Sequence, residues 1–210
     1  SIIEKINKCD AFIVENLRSA RRFLIKSGLT KKIENLTFFE LNKHTKSCDI
    51  PSFLHPIKDG INIGVISEAG VPAVADPGSN IVKIAHQNGI KVVPLVGPSS
   101  ILLAIMASGF NGQNFAFNGY LAKDAKLRRK QIIYFENHSL KHQQTQIFIE
   151  TPFRNNHLLE NLIKICHPNT EITIACDLTL KTETILSKKV LEWQKEKIDL
   201  KKRPTVFLLH

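Results

Sequence analysis

Several common signatures of function are missing from this 210-residue chain. Its four cysteines form no C-x-x-C pair, and neither they nor the eight histidines have the spacing of a metal site. None of its ten glycines forms G-x-G, and no Walker A sequence is present. The G-x-S-x-G elbow of hydrolases and the H-E-x-x-H motif of metalloproteases are also absent. We therefore expect no metal centre and no glycine-rich phosphate loop of these types.

Long hydrophobic runs are missing as well. The longest apolar run, Ile101–Ala107, is far shorter than the roughly 20 residues that a membrane-spanning helix needs. The first residues of the chain have no signal-peptide pattern. The composition, 43% hydrophobic and 23% charged, is that of a packed globular protein. These observations predict a cytoplasmic protein of one large or two small domains, with free thiols and no membrane partner.

Acidic residues are scarce relative to basic ones. The chain has 29 lysines and arginines against 19 acidic residues, which gives a net charge of +10. This excess favours anionic partners such as nucleic acid. One cluster consists of Lys126, Arg128, Arg129 and Lys130, and a second is Lys201-Lys202-Arg203. A solvated basic face is the alternative explanation for both clusters.

Strand and helix patterns alternate along the first half of the chain. The predicted strands are Ala11–Val14, Thr37–Glu40, Ile61–Ile66 and Lys91–Leu95, and the predicted helices are Asn16–Ser27, Ser79–Asn88 and Ser99–Ser108. The last of these helices is apolar nearly all round, which predicts that it is buried. The alternation predicts βαβ units and a parallel sheet.

The composition changes near residues 111–118, where a loop-like segment precedes a new strand pattern. Beyond it, the predicted strands are Phe115–Tyr120, Ile147–Glu150, Glu171–Cys176 and Thr205–Leu209, and the predicted helix is Arg154–Cys166. We therefore expect an α/β protein with an N-terminal lobe over residues 1–113, which carries the cofactor loops, and a C-terminal lobe over residues 114–210.

Two loops that follow predicted strands are the candidates for a binding site, because ligands of open α/β sheets bind at the carboxyl ends of the strands. The first loop, residues 67–78, is longer than the usual connection and contains two glycines and two prolines. The second, residues 96–100, opens a helix that Ser99 or Ser100 is placed to cap. The N–H groups at such a helix start are suited to a ligand.

Four segments in this order resemble the tetrapyrrole methylase superfamily, the class III S-adenosylmethionine-dependent methyltransferases. They are Ser67–Gly78 (SEAGVPAVADPG), Val93–Ser100 (VPLVGPSS), Ala107–Leu121 (ASGFNGQNFAFNGYL) and Ile147–Arg154 (IFIETPFR). Within the superfamily, the chain is most similar to the ribosomal RNA small subunit methyltransferase I branch. That branch reads SDAGTPxxSDPG, PLPGPxA, FxFxGFLP and FxESPxR at these places, and the match runs from about Glu15 to the C-terminus.

The chain departs from the branch at several positions. Glu68 stands where the branch has Asp, and Val71 stands where it has Thr. The segment Val14–Arg18 replaces an E-D-T-R motif and keeps only Glu15 and Arg18 of it. The family's first strand and the Pro-rich loop after it have no counterpart in this chain.

The resemblance implies a two-lobed, tetrapyrrole-methylase-like α/β fold, with a parallel sheet in the N-terminal lobe and a mixed sheet in the C-terminal lobe. It also implies a homodimer, and S-adenosylmethionine bound between the lobes and released as S-adenosylhomocysteine. The positions carried over as cofactor contacts are Glu68, Ala69, Gly70, Val71, Val74, Ser99, Ser100, Glu150, Thr151, Leu178 and Thr205. Each has a purely structural alternative, such as a turn for Gly70 or a helix cap for Ser99.

Methyl transfer to a ribose hydroxyl requires removal of a proton as the new bond forms, and it requires no metal. A carboxylate or a histidine near the acceptor can take that proton. The candidates are Glu15, Glu68, Glu150 and His44, and the sequence does not single out one of them. For Glu15, the alternative is an ion pair with Arg18 or Arg154.

Three hypotheses about function follow. The first is a methyltransferase that acts on ribosomal RNA, at a ribose 2′-hydroxyl by family resemblance or at a base, with the small ribosomal subunit as partner. The second is a methyltransferase of a small tetrapyrrole or corrin-type substrate, whose carboxylates would also suit the basic residues. The third is a non-catalytic relative that binds the cofactor.

Overall fold

The computed structural model describes all 210 residues and divides into two compact units, Ser1–Pro98 and Ser99–His210. The first unit contains helices α1 (Ile2–Asn7), α2 (Leu17–Lys26) and α3 (Gly78–Gln87), strands β1 (Ala11–Val14), β2 (Thr37–Glu40) and β3 (Ile63–Ile66), and 3-10 helices at Ile33–Asn35 and Ile50–Asp59. The second unit contains helices α4 (Ser100–Ser108), α5 (Ala125–His142), α6 (Asn155–Ile165) and α7 (Val190–Trp193), and strands β4 (Phe115–Tyr120), β5 (Thr145–Ile149), β6 (Glu171–Cys176), β7 (Thr184–Lys189) and β8 (Thr205–Leu209).

A three-stranded parallel sheet forms the centre of the first unit. Its strand order is β2-β1-β3, and all four residues of the central β1 are buried. Side chains alternate across the strand, so Phe12 packs towards Leu24 of α2, while Ile13 packs with Leu54 and Ile81 on the other face. The predicted parallel sheet is confirmed.

One predicted strand of the first unit is wrong. Residues 91–95 form no strand, and Val93 and Leu95 remain 53% and 45% exposed. Only Val92 of this segment packs on the core. An apolar run matches a strand pattern, but a strand also needs a neighbour to complete its hydrogen bonds. The other predicted helices and strands of this unit are present, with bounds that differ by at most two residues.

A five-stranded mixed sheet forms the centre of the second unit. Its order is β4-β5-β8-β6-β7, and only the β4–β5 pair is parallel. Every residue of β8 is buried, as is every residue of β6 except Glu171. The predicted mixed sheet is confirmed. The main hydrophobic core beside it includes Phe148, Phe207 and Trp193, which are at most 1% exposed.

Helix α4 belongs with the second unit in this structure. Its Ala104 and Ile105 pack against Ala175 of β6 and Val206 of β8. The compact units therefore divide at Pro98, before the lobe boundary at residue 113 that the sequence suggested, and the division into lobes 1–113 and 114–210 stays a prediction. The sheet covers only one face of α4, which leaves the side chain of Met106 78% exposed, so the predicted burial of the whole helix is wrong.

The helices of the chain are too short or too polar for a bilayer. None of them is both long enough and apolar enough to span one. The longest helix, α5, has 18 residues and carries many polar and charged side chains.

Candidate functional site

The carboxyl ends of the three parallel strands bring acidic side chains to one edge of the first unit's sheet. β1 ends immediately before Glu15, β2 ends at Glu40, and β3 ends immediately before Ser67 and Glu68. Parallel strands point the same way, so these residues share an edge, and this is where ligands of open α/β sheets bind. The predicted loop of residues 67–78 begins at this edge.

Glu15 and Glu68 contact each other through the start of the loop. The backbone N–H of Glu68 donates to Oε2 of Glu15 at 2.8 Å. The hydroxyl of Ser19 donates to Oε1 of Glu68. Asn16 caps α2 by accepting from the backbone N–H of Ser19 at 3.2 Å, and this cap fixes the first turn from which Ser19 reaches the loop.

The suggested ion pair of Glu15 with Arg18 is wrong, because Arg18 forms no ion pair with it. Arg154 binds Glu150 within the second unit, and its suggested pairing with Glu15 of the first unit stays a prediction. Within the first unit, Glu15 accepts from the backbone N–H of Glu68 and forms no ion pair.

Asp76, near the end of the same loop, completes a group of three carboxyls. Burial raises the pKa of Asp76 to about 6, helped by a hydrogen bond and the negative charge of Glu15 and by the charge of Glu68. A hydrogen bond from the Ser67 hydroxyl acts in the opposite direction on this pKa. This edge of the sheet therefore holds closely spaced carboxyls that suit a positively charged group, and one of them titrates near neutral pH.

The backbone of the 67–78 loop adopts unusual conformations. Ala73 and Ala75 have φ angles of 69° and 59°, in the left-handed region, where a non-glycine residue costs roughly 1–2 kcal/mol. Gly70 has a φ angle of 71°, and no atom lies within 4 Å of the position that its Cβ would occupy. Backbone strain of this kind is concentrated at functional sites in proteins, and the open side of Gly70 leaves room for a ligand.

The two loops singled out in the sequence lie next to each other. The side chain of Val71 is 3.5 Å from the position that a Cβ would occupy on Gly97, which lies in the second loop. Val71 is half-buried, whereas the other predicted contact residues of the first loop, Glu68, Ala69, Gly70 and Val74, are exposed. The predicted cofactor contacts of the first unit thus form one accessible surface.

The remaining predicted contact residues lie in the second unit. Ser99 is the N-cap residue of α4, but its side chain makes no capping hydrogen bond, and Ser100 is exposed. Glu150 is buried after β5, where its Oε1 accepts from Arg154 Nη2 at 2.5 Å and from the backbone N–H of Thr151 at 2.6 Å. Arg154 Nε also donates to Thr151 Oγ1 at 3.3 Å.

Two of these predicted contacts have structural partners within the second unit. The Leu178 side chain packs with Ala175 and Val206. Thr205 is buried, and its hydroxyl donates to the carbonyl oxygen of Arg203 at 3.0 Å. Their assignment as cofactor contacts stays a prediction.

His44, also named as a candidate base, lies in the turn after β2. Its backbone N–H donates to Asn42 Oδ1 at 2.9 Å, and the residue is exposed. It makes no hydrogen bond with the three carboxyls. The structure contains no group of three or more His, Cys, Asp and Glu residues that could hold a metal ion.

Two residues of this site, Ser19 and Asp76, were not predicted from the sequence. Asp76 had a usable signal, because it is an acid beside a proline inside a long loop at the carboxyl end of a strand. No sequence pattern indicated Ser19, since its hydrogen bond to Glu68 depends on how α2 packs beside β3.

Comparisons with known proteins point to one family. The family model of Tetrapyrrole (Corrin/Porphyrin) Methylases matches residues 3–192. A ribosomal RNA small subunit methyltransferase I of Vibrio cholerae serotype O1 is 29% identical over 211 residues, which cover 99% of this chain and 70% of the relative. The enzyme of the same name from Buchnera aphidicola subsp. Acyrthosiphon pisum is 31% identical over 202 residues, which cover 92% of this chain and 67% of the relative.

A solved structure agrees with the fold. The crystal structure of the methyltransferase CobJ superposes with a TM-score of 0.64, covers 99% of this chain and 85% of its own, and shares 16% sequence identity. At this identity, the likeness concerns the fold alone.

Proposed function

Because the chain belongs to the tetrapyrrole methylase family, and is therefore a methyltransferase, we propose that it transfers a methyl group from S-adenosylmethionine to ribosomal RNA. The relatives named above support RNA as the acceptor, since both are named for the small-subunit ribosomal RNA. The observation that carries the proposal is the exposed 67–78 loop at the carboxyl edge of the parallel sheet. That edge combines an open glycine with three uncompensated carboxyls.

The residues of the first unit fit this cofactor. S-adenosylmethionine carries a positively charged sulfonium and an ammonium group, and the carboxyls of Glu15, Glu68 and Asp76 provide negative charge without a competing arginine or lysine. We propose that Glu68, Ala69, Gly70, Val71 and Val74 contact it, with Gly70 permitting close approach of the backbone.

In the second unit, we propose that Ser99, Ser100 and Thr151 donate hydrogen bonds to the cofactor. The hydroxyls of Ser99 and Ser100 form no hydrogen bond within the chain, so both are free to do so. Glu150 would act through Thr151, because its Oε1 fixes the backbone N–H of that residue and the guanidinium of Arg154. Leu178 and Thr205, which also lie in the second unit, would add further contacts with the cofactor.

The chemistry divides between the cofactor and the chain. When bound, S-adenosylmethionine supplies a methyl group that is already activated for in-line displacement, so the protein mainly aligns donor and acceptor. With a ribose hydroxyl as acceptor, the O–H bond breaks as the O–CH₃ bond forms, and a proton is released. We propose that one of the three carboxyls of Glu15, Glu68 and Asp76 takes this proton. Asp76 suits this role because its pKa is about 6, near the working pH.

We further propose that the protein is a homodimer, and that it works in the cytoplasm because ribosomal RNA is there. Large apolar side chains on its surface support self-association: Val96 is 91% exposed, Met106 78% and Phe153 73%. Analytical ultracentrifugation tests the dimer directly, and a single monomeric species at micromolar concentration would contradict it.

The test of function has two steps. Calorimetric titration with S-adenosylmethionine and S-adenosylhomocysteine measures cofactor binding, for which we expect a dissociation constant in the micromolar range. Transfer of radiolabelled methyl groups to purified small ribosomal subunits, followed by nuclease digestion, then identifies the methylated nucleoside. Absence of binding overturns the cofactor assignment. Binding with transfer to a corrin substrate, but not to RNA, overturns the acceptor assignment.

A further inference from the structure

Helix α5 presents one face to the core of the second unit and a different one to solvent. Its inward residues, Arg128, Ile132, Glu136 and Ser139, are buried. On another face, a stripe recurs at every fourth residue and consists of Lys126, Lys130, Tyr134, His138 and His142. Four residues of an α-helix rise about 6 Å and turn about 40° beyond one full turn, so each of these side chains lies beside the next, and the series winds gradually around the helix. We refer to them as the α5 stripe.

The aromatic part of the α5 stripe is a ladder of rings. The ring centroids of Tyr134 and His138 are 5.8 Å apart with an interplanar angle of 28°, and those of His138 and His142 are 4.4 Å apart at 40°. Tyr134 is 60% exposed although it has an aromatic ring large enough to anchor a core. The two end rings of the ladder, Tyr134 and His142, are exposed, whereas His138 between them is half-buried.

The surroundings of the ladder are positively charged. Arg129 and Lys141 are exposed on the same helix, in addition to the two lysines of the stripe. The acids of this region are engaged elsewhere: Asp124 caps the helix by accepting from the N–H of Leu127 at 2.8 Å, and Glu136 is buried and accepts from the N–H of His167 at 2.7 Å. The exposed surface of α5 therefore combines basic and aromatic side chains with three apolar ones, Leu127, Ile133 and Leu140.

The two basic clusters that were predicted to favour RNA, one on α5 and one at residues 201–203, each contain an arginine with a structural role. Arg128 is buried, and its Nη1 donates to the carbonyl oxygens of Ala122 and Lys123 at 3.1 and 2.9 Å. Arg203 binds Asp177 at 2.7 Å and the carbonyl oxygen of Thr182 at 2.7 Å. Of the two basic clusters, the exposed members are therefore Lys126, Arg129 and Lys130 on α5, and Lys201 and Lys202 before Arg203.

We propose that the α5 stripe is a docking surface for single-stranded RNA, with Lys126 and Lys130 at phosphates and the exposed ring of Tyr134 stacked against an unpaired base. This rests on the proposed ribosomal RNA acceptor and names the part of the chain that would hold it. Proteins that bind single-stranded RNA combine positive charge along the backbone with aromatic rings for the bases. The competing occupant is a second copy of this chain, because Leu127 and Leu140 are also exposed on α5.

The first test removes one ring of the ladder. Fluorescein-labelled oligoadenylate and oligouridylate of twelve nucleotides serve as probes, and fluorescence anisotropy measures their affinity. We expect Tyr134→Ala to weaken binding roughly 5- to 100-fold, as the loss of one stacked base predicts, without changing the salt dependence. Tyr134→Phe keeps the ring and should keep the affinity. The control is Tyr120→Ala, which removes the chain's only other tyrosine, also exposed and in the same unit.

The second test separates charge from stacking. Plotted against the logarithm of salt concentration, the logarithm of the binding constant has a slope of about −0.7 per phosphate neutralised on a single strand. Lys130→Ala should therefore reduce the magnitude of that slope by about 0.7. Lys164→Ala removes an exposed lysine that lies on α6 and does not belong to the α5 stripe, and it should leave the slope unchanged. Circular dichroism melting checks that all variants are folded.

The outcomes distinguish this surface from the proposed function. No binding of either oligonucleotide, or equal affinity for the Tyr134→Ala and Tyr120→Ala variants, overturns the α5 stripe as an RNA surface. If Tyr134→Ala instead converts a dimer to a monomer and leaves RNA affinity unchanged, the second copy is the occupant. Methyl transfer to small subunits is measured separately, so stripe-dependent RNA binding without methyl transfer to them overturns the proposed acceptor while retaining the surface.

Discussion

The two units of this chain hold their carboxyl groups in different ways. In the first unit, Glu15, Glu68 and Asp76 are close together, and their hydrogen-bond donors are a backbone N–H and hydroxyls. In the second unit, Glu150 binds Arg154 and Asp177 binds Arg203. The carboxylates of Glu150 and Asp177 are balanced by arginines, whereas the three carboxyls at the sheet edge of the first unit form no ion pair within that unit and are available to a ligand. This difference distinguishes the acidic residues that stabilise the fold from those that are available to a ligand.

The packing of the two units differs in the same direction. The second unit contains the largest cluster of buried hydrophobic residues, whereas the hydrophobic core of the first unit is divided into two smaller clusters, one on each face of its sheet. Few buried contacts and an exposed, strained loop are typical of segments with low local stability. We therefore interpret the second unit as the more rigid part and the first as the part that adjusts to ligands.

Core substitutions should show the largest difference. Phe148→Ala removes a fully buried ring from the second unit and should lower the free energy of unfolding by about 3–5 kcal/mol. Phe38→Ala removes a half-buried ring of β2 that stacks on Phe12 at 5.9 Å, and we expect about 1–2 kcal/mol. Urea unfolding followed by circular dichroism measures both. Equal losses would contradict the difference in rigidity.

Removing a balanced carboxyl should have the next largest effect. A hydrogen bond from Arg203 holds the pKa of Asp177 below its usual range, so the native state favours the charged form. Asp177→Ala should cost about 1.5–3 kcal/mol at pH 7, since the lost hydrogen bond involves two charged groups. The stability from Asp177 is present above a pH of about 4 and is lost as the pH falls through the lowered native pKa.

The control for this substitution is Asp59→Ala, which removes an exposed carboxyl that forms no ion pair. Thermal melts of the wild type and both variants between about pH 3 and pH 7 provide the comparison. A cost for Asp177→Ala that does not shrink on acidification would show that its carboxylate does not stabilise the fold through Arg203.

Much of the fold could be predicted because it depends on local patterns. The strands β1, β2, β4, β6 and β8 have the bounds that their apolar runs predicted. Strand β7 was not predicted, because its sequence TILSKK ends in two lysines and resembles a polar loop. Residues 91–95 show the opposite error, since their apolar run has no neighbouring strand. In both cases, pairing with another strand decided the outcome, and pairing is not encoded within the segment itself.

The candidate site could be predicted only in part for a similar reason. The 67–78 loop was found from its length and its resemblance to a family motif. The contact between Glu15 and the N–H of Glu68 joins residues 53 positions apart, so it exists only once β1 and β3 are paired. The raised pKa of Asp76 depends on the same pairing. The burial of Arg128 could not be predicted from the number of basic residues, because nothing in its sequence context distinguishes it from the exposed Arg129.

Gly70 and Gly89 form a matched pair that tests the first unit as a ligand site. Both have a positive φ angle, 71° and 67°, and at both no atom lies within 4 Å of the position that a Cβ would occupy. Leucine at either residue should cost about 1–2 kcal/mol through backbone strain. Only Gly70→Leu should also weaken binding of S-adenosylmethionine, by at least tenfold in calorimetry, because its side chain would fill the open surface of the loop. If both variants bind equally well, Gly70 does not contact the cofactor.

The smallest expected effect concerns Asp76, and its sign should be opposite to that of Asp177. Burial and Glu15 raise the pKa of Asp76 from 3.8 to about 6, so the folded chain binds this proton more tightly than the unfolded chain does. The stability contributed by the protonated form is therefore lost as the pH rises from about 4 through about 6. Asp76→Asn removes that loss, and after allowance for solvent screening we expect a gain of about 1 kcal/mol at pH 8 and almost none at pH 4. In thermal melts this gain corresponds to an increase in Tm of roughly 2–4 °C.

The pH range separates this effect from that of Asp177. Between about pH 5 and pH 8 the charge of Asp177 does not change, so any slope of stability against pH that Asp76→Asn abolishes in that range belongs to the carboxyls of the first unit. An unchanged slope would mean that burial and the neighbouring carboxyls do not raise the pKa of Asp76 in the folded chain. The first unit would then lack the uncompensated negative charge that the proposed site offers to a cationic ligand.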